Sequence, residues 1–130
     1  MEKKILIVED ERLFAQLLCD ALQALPNVIV HVAENGVLAL ERFQSDSYDL
    51  IFTDIHMPEM NGVEFLKKIR TLNDKVGIFV LTAHVQENYI RTFNNLGIED
   101  FLAKSDCDLM ELRNLVLNYF HKQAVQLFAE

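Results

Sequence analysis

Five side chains standing at the ends of short apolar runs could share one phosphate chemistry. Ile5-Leu6-Ile7-Val8 runs into Glu9 and Asp10, and Leu50-Ile51-Phe52-Thr53 runs into Asp54. Val76 to Leu81 runs into Thr82, and Ile98 to Ala103 runs into Lys104. Open parallel sheets hold their ligands just beyond the carboxyl ends of the strands. Three carboxylates, a hydroxyl and an ammonium at such ends supply oxygen ligands for a divalent cation and donors for a phosphoryl group. Singly, each residue is ordinary, since an Asp after a strand commonly starts a turn or caps a helix. Their recurrence at successive strand ends is what points to a site.

Those ends must be gathered by a fold. Strand-like runs alternate five times with helical periodicity, the pattern of an α/β doubly wound protein. Leu13, Phe14, Leu17, Leu18, Ala21, Leu22 and Leu25 recur at helical spacing, and Pro26-Asn27 stops that helix. Val28 to Val32 reads as the second strand. Asn35 caps a helix that carries Val37, Leu40 and Phe43 inward. A loop with Pro58 and Gly62 enters a helix over Val63 to Leu72. The next helix is expected over Gln86 to Asn95, with Tyr89, Ile90, Phe93 and Leu96 on one side and Gly97 as its C-cap. The last helix starts near Cys107, capped by Ser105 or Asp106, and docks through Leu109, Leu112, Leu115, Val116, Tyr119 and Phe120. Residues 121–130 extend it and still carry Val125, Leu127 and Phe128. That extension reads as a self-packed end, a contact that forms a homodimer, or the first turns of a linker to an output domain.

Right-handed crossovers leave few ways to assemble five such units. The expected architecture is a flavodoxin-like five-stranded parallel sheet of order 2-1-3-4-5, with five helices in an α/β/α sandwich. In that order strands one and three are neighbours where the winding reverses. Glu9, Asp10 and Asp54 then surround one crevice, where they repel one another unless a cation neutralises them. Mg²⁺ suits a few carboxylates, several waters and a phosphate oxygen, and sequence does not separate it from Mn²⁺ or Ca²⁺. A phosphoryl group on Asp54 adds about two negative charges. Thr82 and Lys104 are the donors that would hold it, with the metal on a third oxygen.

Composition excludes other classes. A chain of 130 residues fits one domain, and 51% hydrophobic with 25% charged residues is ordinary for a soluble protein. The net charge of −8 and the lack of a basic cluster argue against direct nucleic-acid binding, though part of that charge serves solubility. No segment reaches the ~18–20 apolar residues of a membrane span. The run after Met1-Glu2-Lys3-Lys4 is too short for a signal peptide, so no membrane contact and a cytoplasmic location are expected. Cys19 and Cys107 lack metal-ligand spacing and read as reduced, non-catalytic thiols.

The Glu9-Asp10 pair, the stretch Asp54-Ile55-His56-Met57-Pro58-Glu59-Met60-Asn61-Gly62, Thr82-Ala83 and Lys104 resemble the motif set of response-regulator receiver domains. The resemblance runs in order from about residue 3 to 120. It implies a receiver domain over 1–120 followed by a helical extension over 121–130. It implies that Asp54 is the phosphoacceptor, attacking a phosphohistidine on a sensor histidine kinase or phosphotransfer protein. Glu9, Asp10, Asp54 and the backbone carbonyl of His56 would then bind Mg²⁺, with Mn²⁺ as a substitute. Lys104 would pair with the phosphoryl group and Thr82 would move toward it. Phe101 stands where the family keeps an aromatic that rotates inward as Thr82 shifts, remodelling the surface of the fourth helix, fifth strand and fifth helix for a target protein or an output domain. A plain core aromatic is the alternative for Phe101. His56 and His84, two residues after Asp54 and Thr82, occupy places that set how fast the phosphoryl group is lost.

Two departures stand out. Ser105 follows Lys104 where the family usually has a proline, and Asn61 replaces the usual aspartate before Gly62. On this reading the chain is no enzyme beyond phosphorylating and dephosphorylating itself. It is either a stand-alone adaptor or the receiver of a larger regulator, possible homes for the same switch. An aspartate-nucleophile phosphohydrolase is a distant alternative, because His56 stands where that chemistry wants a second carboxylate. A flavin or nucleotide binder is more distant still, since Glu9-Asp10-Glu11 replaces a Gly-rich phosphate loop.

Overall fold

Strand β1 (Lys3–Val8) leads into α1 (Arg12–Gln23), β2 (Val28–Ala33), α2 (Gly36–Ser45), β3 (Leu50–Asp54), α3 (Gly62–Leu72) and β4 (Gly77–Thr82). Strand β5 (Asp100–Ala103), a single 3₁₀ turn over Lys104–Asp106 and α4 (Leu109–Ala129) complete the chain. This computed structural model describes residues 2–56, 59–83, 91 and 93–129. The strands form one parallel sheet in the order β2-β1-β3-β4-β5, as the crossover rule predicts. Four α-helices stand among the described residues where five were expected. The remaining one, over Gln86 to Asn95, falls largely outside them, and Arg91, Phe93 and Asn94 are its described helical residues.

Alternation along the central strands splits the core in two, because successive side chains point to opposite faces. Leu6, Val8, Ile51, Ile78 and Val80 pack with Phe65, Leu66 and Ile69 of α3 and with Phe93. Ile5, Ile7, Phe52, Phe79 and Leu81 pack with Leu18 and Leu22 of α1 and with Leu112, Val116 and Tyr119 of α4. With both faces covered, β3 and β4 are buried throughout, which explains why they read as unbroken apolar runs.

The helices correct two expectations. α1 turns Ala15, Leu18, Ala21 and Leu22 to the core, which leaves Leu13 and Leu17 exposed. Seven apolar positions cannot all share one stripe of a helix, and the closest packing chose the phase. α4 begins at Leu109 rather than near Cys107, and its cap is Asp108, whose Oδ1 accepts from the Met110 N–H at 2.9 Å. Ser105 and Asp106 are taken up in the 3₁₀ turn instead. The other caps stand as expected: the Asn35 side chain accepts from Leu38 N at 2.8 Å, and Gly97 sits at a φ of 69°, a left-handed conformation that suits glycine.

Arg70 fastens the approach to β5. Its Nε donates to the Leu96 carbonyl at 2.6 Å, its Nη2 to the Gly97 carbonyl at 3.0 Å and its Nη1 to the Val76 carbonyl at 2.8 Å. One guanidinium thus ties the end of α3 to the segments entering both β4 and β5, using the rigid fork that Lys lacks.

At the start of β4, a β-carbon added to Gly77 would collide with the Tyr119 hydroxyl and lie 2.9 Å from Leu50 Cδ1. Gly77→Ala is therefore expected to lower the unfolding free energy by about 1–3 kcal/mol, read as a lower urea midpoint at unchanged slope. An unchanged midpoint would mean that Tyr119 yields without cost.

Candidate functional site

Parallel pairing delivers the five residues in steps. Val8 lies opposite Thr53, so Glu9 and Asp54 follow side by side. Asp54 lies opposite Leu81, which puts Thr82 one position further, and Thr82 lies opposite Ala103, which puts Lys104 one position beyond that. Glu9, Asp54 and Thr82 are buried, at 2%, 5% and 1% exposure, while Asp10 is exposed at the rim.

Lys104 crosses the crevice. Its Nζ donates to Asp54 Oδ2 at 2.8 Å and makes an ion pair with Glu9 Oε1. Glu11 Oε2 lies 3.9 Å from the same nitrogen, and the Phe14 ring centroid lies 5.0 Å away in cation–π contact. The Asp54 carboxylate is held at both oxygens, since Oδ1 accepts the His56 backbone N–H at 3.2 Å. Glu9 Oε2 accepts the Glu11 N–H at 3.1 Å. Glu9 Oε1 is buried, and the Lys104 ammonium is its one close polar partner among the described contacts.

Electrostatics follows from this burial. Desolvation is the main cause that raises the Glu9 carboxyl from 4.5 to about 7; the Asp54 charge adds to it, while Lys104 and the Glu11 N–H oppose it. Burial pulls the Lys104 ammonium down, but Asp54 and Glu9 together outweigh that and hold it above its ordinary value. Burial also pushes up the thiols of Cys19 and Cys107, both free and only partly buried, in keeping with inert cysteines.

One oxygen from each of Glu9, Asp10 and Asp54 can lie within 4.8 Å of the others. Three carboxyl groups against one ammonium leave a surplus of negative charge wherever Glu9 is ionised. An all-oxygen set with that surplus fits a hard divalent cation. Beside it opens a groove of about 700 Å³ between α1 and α2, lined in part by Glu9, Asp10, Arg12 and Glu34.

The sequence profile of the response regulator receiver domain matches residues 5–117. The chain belongs to the response regulator receiver family. Among curated relatives, this receiver is 40% identical over 114 residues to the Regulator of RpoS of Escherichia coli K12, covering 88% of the receiver and 34% of that protein. It is 34% identical over 104 residues to the chemotaxis protein CheY of Bacillus subtilis, covering 80% of the receiver and 87% of CheY. The receiver thus spans about a third of the length of the first of these relatives and most of the second. A two-component response regulator from Clostridium difficile superposes with a TM-score of 0.86 at 27% identity, over 94% of this chain and 98% of that one. A CheY-like receiver from Methanospirillum hungatei shares the fold with a TM-score of 0.90 at 21% identity, over 97% and 99% of the two chains.

The receiver fold brings Glu9, Asp10, Asp54 and Lys104 together as the strand ends foretold. Thr82 sits buried at the adjoining strand end. Phe101 is half-buried against the core and meets Phe93 edge-to-face at 5.7 Å between ring centroids. His56 is exposed, and His84 lies outside the described residues. The described residues contain no cis peptide, so Ser105 follows Lys104 through a trans bond. Asn61 caps α3 by accepting the Glu64 N–H at 2.9 Å and donating to Glu64 Oε1 at 3.3 Å. Glu11 and Phe14 were missed as site neighbours. Glu11 had a signal as the third acid after β1; Phe14 had none, because it meets Lys104 across 90 residues of chain.

Glu9 makes stability pH-dependent. The folded chain keeps a proton that the unfolded chain releases between about 4.5 and 7. The stability owed to that proton is full below 4.5 and is lost as pH rises to 7. In chelator, the unfolding free energy of the parent relative to Glu9→Gln should fall across that window by about 1–3 kcal/mol, measured by urea titration. A difference that is flat with pH would contradict a proton-retaining Glu9.

Proposed function

We propose that this receiver is a phosphoacceptor switch of two-component signalling. Asp54 takes a phosphoryl group from a phosphohistidine on a sensor kinase or phosphotransfer protein, and the surface around β5 reports the change to a target or output domain. The observation that carries this reading is Lys104 Nζ resting against both Glu9 and Asp54 at the mouth of the sheet.

Glu9, Asp10, Asp54 and the His56 carbonyl would hold Mg²⁺, or Mn²⁺ in its stead. The ion would supply a Lewis acid that neutralises phosphoryl oxygens. The rest of the chemistry belongs to the chain. An Asp54 oxygen attacks phosphorus as the P–N bond breaks, and the electron pair leaves on the imidazole nitrogen of the donor. The His56 N–H and Lys104 hold the carboxylate in place, with Oδ1 and Oδ2 already engaged at 3.2 and 2.8 Å. After transfer Lys104 stays with the negative charge, now on the phosphoryl group, and the Thr82 hydroxyl donates to another of its oxygens. Drawing Thr82 inward opens room beside β4, and Phe101, opposite Val80 in the register, rotates into it. His56 and His84 at the rim govern how readily water reaches the phosphorus. Turnover is limited to the loss of the chain's own phosphoryl group.

A second reading joins the receiver to an output domain, or to a second copy, through the end of α4. It draws on Leu127 and Phe128, which are 74% and 93% exposed, and on the longer relatives of which the chain covers a third.

Incubation with acetyl phosphate and Mg²⁺ should add one phosphoryl group to the intact mass of the parent and none to Asp54→Asn. Equal labelling of both, or labelling that persists in chelator, would count against the site.

A further inference from the structure

Between β5 and the first turns of α4 lies a pocket of about 390 Å³, inside the ~300–1,000 Å³ range of ligand sites. Phe101, Leu102, Leu112 and Leu115 contribute its apolar lining, and Asp106 and Glu111 stand at it with exposed side chains. Asp108 is there too, but its Oδ1 is committed to the N-terminus of α4. No Lys, Arg or His is among the described residues lining the pocket. Exposed Glu99 and Asp100 extend the negative field along β5, which is an edge strand of the sheet. Lys104, next in sequence, has its charge turned to Glu9 and Asp54.

We propose that this pocket docks a short segment of a partner protein in which an apolar side chain is flanked by Lys or Arg. The proposal rests on the switch reading above and names the chemistry of the partner that the switch addresses. Charge selects the occupant. A second copy of this chain carries a net charge of −8, and an acidic segment or a nucleic acid is likewise repelled, whereas basic flanks meet Asp106 and Glu111. The apolar lining excludes a purely polar ligand. Phe101 forms part of the wall while packing on Phe93, so a change of its rotamer alters the pocket itself.

The test uses a fluorescent twelve-residue peptide of Leu, Ala and Lys, its Glu-for-Lys counterpart, and anisotropy with the full chain. The Lys peptide should bind and the Glu peptide should not, with affinity falling as salt rises. Asp106→Lys combined with Glu111→Lys should weaken binding about tenfold, whereas Glu34→Lys with Glu41→Lys, an equal charge change across the molecule, should change it less than about twofold. In a Cys19→Ala background the peptide should also slow alkylation of Cys107, which lines the pocket. Equal weakening by the two charge reversals, or an unprotected Cys107, would overturn the proposal. Adding beryllium fluoride and Mg²⁺ as a phosphoryl mimic separates the two readings. A changed affinity supports both, and a pocket-specific affinity that ignores the mimic upholds the pocket while overturning the switch.

Discussion

An ammonium held between two carboxylates, where water barely reaches, is the constraint on which the rest of this molecule depends. At about 3 Å and an effective dielectric near 20, opposite charges attract by several kcal/mol. Removing them from water costs a comparable amount, so the pairing is close to balance rather than a large net gain. Lys104 serves Asp54 and Glu9 at once and leaves their combined charge only partly met. Burial above all, with the Asp54 charge adding to it, raises the Glu9 carboxyl to about 7. A site so poised is receptive to further positive charge, which is what a divalent cation supplies. Under the switch reading proposed above, it would also take a phosphoryl group, with Lys104 following the negative charge outward from Asp54.

The sheet exists to maintain that balance. Glu9 and Asp54 stand level at the ends of β1 and β3, and Thr82 and Lys104 each follow one register step further, on β4 and after β5. Two apolar cores clamp the strands from both faces. The frame is therefore tightly packed where Glu9 and Asp54 stand. It loosens toward β5, whose four residues are exposed or only half-buried, in contrast to the fully buried β3 and β4. Phe101 lies in that looser strand and touches both the core and the acid-rimmed pocket. Under the proposed switch, a signal that begins as charge at the buried strand ends would emerge as packing at the less buried β5.

Much of this was legible before any coordinate. Buried parallel strands read as apolar runs, so the first polar residue after each run names a strand end, and the crossover rule orders those ends. Other features depend on contacts that no local pattern encodes. The phase of α1 was set by packing of Leu18 and Leu22 on the sheet, which turned Leu13 and Leu17 outward. A 3₁₀ turn claimed Ser105 and Asp106, and Asp108 became the cap of α4. Arg70 carries no pattern of its own in the sequence, and in the fold it is a clasp on the carbonyls of Leu96, Gly97 and Val76. Phe14, which covers the Lys104 ammonium, looked like one more apolar position in a helix.

The central claim is that the carboxylates of Glu9, Asp10 and Asp54 form one cation site. Anomalous diffraction from crystals soaked in Mn²⁺ tests it most directly. The account predicts a peak among Glu9, Asp10 and Asp54, about 2 Å from at least one oxygen of Asp54. A saturating soak that leaves that crevice without a peak, or places the ion along the α1–α2 groove near Glu34 and Glu41, would contradict it.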